Sequence, residues 1–179
     1  MASFYLDIET QGLDSEVDKI ITIQYQKLKW GTNEPDGPLV ILKSWKSSEK
    51  KILEQFQQKF GIEQWGFVAF GYNLHFENKF LYERSIACGL KNPIKLFDRP
   101  TVDLHSVGIL MNNGFKGSGL DNITSKKGNG LACLVHYNAG NYAKVIQYIE
   151  QETKAYLHFL VWLTKHMPKV LLEYQVDLI

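Results

Sequence analysis

The chain has 179 residues, of which 45% are hydrophobic, 22% charged and 13% aromatic, the composition of an ordinary globular domain. Disorder, collagen and a disulfide scaffold are excluded, and a chain of this size needs neither metal nor crosslink to hold a core. Lys and Arg number 20 against 19 Asp and Glu, a formal charge of +1, so any nucleic-acid contact must be local rather than a general basic coat.

Three β-rich runs come first, Phe4–Ile8, Ile20–Leu28 and Leu39–Trp45. They are separated by GLDSEVDK and GTNEPDGP, both dense in turn formers, which predicts an antiparallel three-strand meander. Ser47-Ser48-Glu49 offers a cap for a helix whose apolar positions Ile52, Leu53, Phe56 and Phe60 stop at Gly61. A short strand over Phe67–Phe70 leads through Gly71-Tyr72-Asn73 into a second helix, about Leu74–Ala87, closed by Gly89. Thr101–Leu104 reads as another strand, followed by a helical stretch to Asn113, a glycine-rich loop and a small helix near Leu120–Ser125. Gly128-Asn129-Gly130 breaks the chain, and the last helix runs from about Tyr142 to His166, ended by Pro168. A meander followed by alternating elements makes an α/β domain, residues 1–179, with a mixed sheet and helices on its faces.

Cys88 and Cys133 stand in apolar surroundings and read as buried thiols of a reducing compartment. The opening MASFYLDIE has no basic or apolar leader region, and the longest apolar run, Tyr156–Leu163, is too short for a bilayer. A cytoplasmic protein without a membrane span is expected. The five histidines form no zinc-ligand spacing.

The first strand carries the chemistry. Phe4, Leu6 and Ile8 alternate with Tyr5, Asp7 and Glu9, so the two acids project from one face. Carboxylates this close repel unless water or a cation lies between them. All five charges in residues 1–18 are acidic, which favours a cation at this end.

Asp7-Ile8-Glu9-Thr10-Gln11-Gly12-Leu13 resembles the first motif of the DEDD 3′–5′ exonucleases, a family of the ribonuclease H-like superfamily. Asn73-Leu74-His75-Phe76-Glu77 resembles the second motif, at the start of a helix, and Tyr148-Ile149-Glu150-Gln151-Glu152 the third, which is the tyrosine (DEDDy) form. The resemblance implies a ribonuclease H-like mixed sheet and a two-metal mechanism, with two Mg²⁺ or Mn²⁺ ions roughly 3.5–4 Å apart. It implies that Asp7 bridges both ions, that Glu9 and Glu152 hold one of them, and that Glu77 acts mostly through water on the other. Tyr148 would orient the attacking water, Thr10 and Leu13 would wedge the terminal nucleotide, and Asn73 and Phe76 would position the substrate. The expected partner is a single strand or 3′ end of DNA or RNA, and the near-neutral charge leaves either a protein partner or a short substrate to stand in for a large basic groove.

Glu77 and Glu152 depart from the family, which has Asp at both places. Each extra methylene moves a carboxylate outward by roughly 1.5 Å, and a misplacement of about 1 Å can lower a rate on the order of a hundredfold. The second reading is therefore a weakened exonuclease-like domain that binds nucleic acid or a protein; an endonuclease on the same fold leaves the third motif without a role. A competing register, Tyr137 to Asn141, keeps the tyrosine spacing but puts a neutral Asn in place of the acid. Tyr148 and Glu152 are preferred because they lie inside a strongly periodic helix. Asp103 is open to two roles, an acid beside the same cleft or a cap for the helix that follows it.

Overall fold

A computed structural model describes residues 2–61, 66–124 and 130–176. Five strands form one sheet in the order β3-β2-β1-β4-β5. They are β1 (Ser3–Thr10), β2 (Ile20–Leu28), β3 (Val40–Lys43), β4 (Val68–Gly71) and β5 (Thr101–Asp103). The meander is antiparallel, β1 on β2 and β2 on β3, whereas β4 lies parallel to β1 and β5 parallel to β4. The mixed sheet expected from the sequence is thus present, and β1 stands at the junction of its two halves.

The helices are α1 (Glu49–Phe60), α2 (Leu74–Ala87), α3 (Leu104–Met111), α4 (Leu120–Thr124), α5 (Gly130–Asn138) and α6 (Tyr142–Val176). Ser48 caps α1 through its side chain, which accepts the Lys51 N–H. One core packs Phe4, Leu6 and Ile8 of β1 against Ile52, Leu53 and Phe56 of α1 and Phe80 and Leu81 of α2. On the other face, Tyr5 and Leu28 pack with Tyr156, Leu157 and Leu160 of α6. The period of two along β1 therefore sorts its side chains between two helical layers.

Three details depart from the sequence reading. Trp45 lies in a single 3₁₀ turn, Ser44–Lys46, rather than in β3, and its ring stacks on Tyr142 with centroids 4.7 Å apart. Gly130 opens α5 instead of breaking the chain; Ser125, Gly128 and Asn129 lie outside the described residues. Pro168 does not end α6, which continues to Val176. A helix proline deletes one N–H and strains the preceding turn, and here the following turns continue as an exposed extension. Among the described residues, no helix is long and apolar enough to cross a membrane.

Candidate metal centre

The β1–β2 register sets Asp7 directly opposite Gln24 and Glu9 opposite Thr22. Asp7 and Glu9 therefore stand on the face covered by α5 and α6, where α6 adds Tyr148 and, one turn later, Glu152. One carboxylate oxygen from each of Asp7, Glu9 and Glu152 lies within 4.8 Å of the others. Tyr148 is buried beside them, packed with Cys133, Val145 and Ile149.

The second motif reaches the same place from β4. Gly71 permits the approach: a Cβ there would fall 2.9 Å from the Leu6 carbonyl oxygen and 2.4 Å from Leu74 Cδ2. Asn73 then turns through the left-handed region, φ 66°, which Asn tolerates better than most residues. The Asp103 carboxylate accepts the N–H groups of Asn73 and Leu74, both at 2.8 Å, and that of His105 at 2.9 Å. Asp103 thus caps α3 and holds the start of α2; it does not itself line the cleft, but its charge adds to burial and the Asp7 charge in raising Glu77. Glu77, in the first turn of α2, is 4% exposed, and its Oε2 has no hydrogen-bond partner among the described residues.

All nine residues singled out in the sequence, Asp7, Glu9, Thr10, Leu13, Asn73, Phe76, Glu77, Tyr148 and Glu152, line one cleft of about 510 Å³. The competing register does not reach it, because Tyr137 packs on Trp45 and Tyr142. Leu131 and Leu134 of α5 close one side, a contribution that was not legible without that helix. Leu13 sits on the lip, 84% exposed. The loop that carries it is anchored from α2: Arg84 pairs with both oxygens of Glu49 at 2.9 Å and donates to the Ser15 and Glu16 carbonyls at 3.4 and 3.3 Å.

No Lys or Arg lines the cleft among the described residues. Burial, with the charge of Glu152 second, pushes the Asp7 carboxyl up to about 7 against the pull of Gln24 and Tyr5 hydrogen bonds. Burial and then the Asp7 charge raise Glu77 well above the carboxylate range. Tyr148 is raised by burial and by Glu152 and Glu9, so it stays a neutral phenol. Several carboxylates without a lining cation, all oxygen donors, suit a hard divalent ion.

The sequence profile of the RNase H superfamily matches residues 4–164. The chain belongs to the RNase H superfamily. Among solved structures, this RNase H superfamily chain is similar to exonuclease I of E. coli in complex with a dT13 oligonucleotide. That match has a TM-score of 0.63 at 11% identity and covers 97% of this chain and 43% of that one. A zinc-bound E. coli exonuclease I–single-stranded DNA complex matches with a TM-score of 0.62 at 13% identity, over 98% of this chain and 43% of that one. These likenesses show the fold, and this chain spans less than half the length of either. No curated protein matches the sequence. In this RNase H fold the acids gather at the carboxyl end of β1, where the sheet changes from antiparallel to parallel pairing and open α/β sheets leave room for ligands.

Proposed function

We propose that this chain is a metal-dependent 3′–5′ exonuclease of the DEDD type that hydrolyses terminal phosphodiester bonds of single-stranded DNA or RNA. The observation that carries the reading is the convergence of Asp7, Glu9 and Glu152 in one cleft with the buried, unpartnered oxygen of Glu77. Two Mg²⁺ or Mn²⁺ ions bound there would activate a water and stabilise the leaving 3′-oxygen.

The chain's own residues have distinct tasks in this reading. Asp7, Glu9, Glu77 and Glu152 would hold the ions, whose charge would relieve the mutual repulsion that adds to burial in raising the Asp7 and Glu77 carboxyls. Tyr148, kept neutral, orients the attacking water through its hydroxyl rather than removing a proton. Leu13 and Phe76 offer apolar surface to the terminal base, while Thr10 and Asn73 offer polar groups to its sugar and phosphate. Thr10 Oγ1 donates to the Gly12 carbonyl at 2.6 Å, which stiffens the turn that presents Leu13. The free thiols Cys88 and Cys133 accord with a reducing cytoplasm.

The weakened-domain reading draws on Glu77 and Glu152 in place of Asp. Against it, the longer side chain of Glu152 brings an oxygen into the same 4.8 Å cluster as Asp7 and Glu9. The test is incubation of 3′- and 5′-labelled single strands with Mn²⁺, using wild type and Asp7→Ala. Stepwise shortening from the 3′ end by wild type alone is the expected result; no shortening, or equal activity in the variant, would sink the reading.

A further inference from the structure

Gln24 lies in the middle of β2 at 0% exposure, as does Thr22 two residues before it. A buried amide in a central strand is destabilising unless its donors and acceptor are used. Thr22 donates its hydroxyl to Gln24 Oε1 at 2.9 Å, and Gln24 Nε2 donates to Asp7 Oδ2 at 3.0 Å. The reverse amide orientation would set its oxygen against the ionised carboxylate, two acceptors in contact, so Asp7 defines the direction of the amide and the Thr22 hydroxyl, which can give or take, holds it in place. Tyr5 gives the same Asp7 oxygen its phenol O–H at 3.1 Å. The Tyr5 ring, 2% exposed, is itself fixed against Tyr156, with centroids 4.9 Å apart.

Two neutral donors thus converge on one oxygen of the acid that the site is built around. A Lys or Arg in their place would cancel the charge a metal needs; neutral donors fix the carboxylate plane and leave the charge intact. Stability alone does not account for the arrangement, because apolar residues of similar volume at a buried cross-strand position hold a sheet as well or better.

We propose that Gln24, oriented by Thr22, is the positioning residue for Asp7: it fixes which carboxylate oxygen meets the divalent ions and so sets their affinity. The inference rests on the metal-centre reading given above. It is tested with Gln24→Met, which keeps length and removes the donor, and with Thr22→Val, which frees the amide without touching Asp7. Mn²⁺ binding is read from the electron paramagnetic resonance of the free ion, alongside kcat and KM on a labelled single strand.

The expected result is Mn²⁺ affinity weaker by about 10- to 100-fold in Gln24→Met, the range for groups that orient a metal ligand, and a smaller loss in Thr22→Val. KM for the strand stays at the wild-type value while kcat falls. Wild-type Mn²⁺ affinity in Gln24→Met overturns the proposal, and if that variant does not fold, wild-type affinity in Thr22→Val does so. A wild-type protein that binds no Mn²⁺ refutes the metal-centre reading itself, which keeps the two failures distinct.

Discussion

Two clusters of buried charge sit along α2 and are resolved in opposite ways. At Arg84, the guanidinium and Glu49 form a two-pronged pair with both side chains 9% exposed, and two backbone carbonyls take up remaining donors. Two turns earlier on the same helix face, Glu77 enters a cleft that already holds Asp7, Glu9 and Glu152, and the donors to Asp7 are the neutral groups of Gln24 and Tyr5. One helix therefore gives a cation to the first cluster and a further acid to the second. Buried charge is tolerated when it is paired; among the described residues no Lys or Arg lines the cleft of the second cluster, and the proposed function supplies its positive charge as divalent ions.

The largest effect expected from breaking this contrast is on catalysis. On the proposed function, Asp7→Ala should lower 3′-end hydrolysis by about a thousandfold or more, since bound ions would supply several kcal/mol to the transition state; single-turnover rates on a 5′-labelled strand measure it. Arg84→Met should act on the fold instead. It leaves Glu49 buried and unpaired, and urea unfolding should show a loss of about 3 kcal/mol or more.

A smaller effect should appear in the metal-free protein as a function of pH. The Asp7 carboxyl titrates near 7 in the fold against 3.8 ordinarily, so the folded state holds a proton that the unfolded chain releases. That contribution to stability is present at pH 4 and lost as pH rises through about 7. Tm should fall by roughly 5 °C between pH 5 and pH 8, and Mn²⁺ at pH 8 should restore it; a metal-free Tm that rises over this interval would contradict the account. Smallest is the converse substitution: Asp7→Asn removes the buried charge and should stabilise the metal-free protein at pH 8 by about 1 kcal/mol, measured by denaturant midpoint. The same side chain would then favour activity and oppose stability, whereas Arg84 serves stability.

Much of the fold was legible because its signals are local. The alternation of Phe4, Leu6 and Ile8 with Tyr5, Asp7 and Glu9 specified both faces of β1, and three motifs separated by long stretches converged on one cleft. Helix α5 was not legible, since Leu131, Ala132, Cys133, Leu134 and Val135 form a continuous apolar run without a helical period. The extension of α6 past Pro168 was missed because a proline inside a helix usually kinks or ends it, and here the helix runs on. Gln24 escaped notice, and Arg84 read only as one cation of a locally basic stretch, for another reason. A polar residue in a strand or a charged one on a helix reads as a solvent-facing position, and only the strand register and the folding of the β1–β2 loop onto α2 show what each one meets.

The central claim is that the acids at the carboxyl end of β1 exist to hold divalent ions, and direct titration of the metal-free protein with Mn²⁺ at pH 8 addresses it first. The account predicts saturable binding of two ions by the wild type and loss of that binding in Asp7→Asn. Absence of saturable binding in the wild type, or unchanged binding in Asp7→Asn, would contradict it.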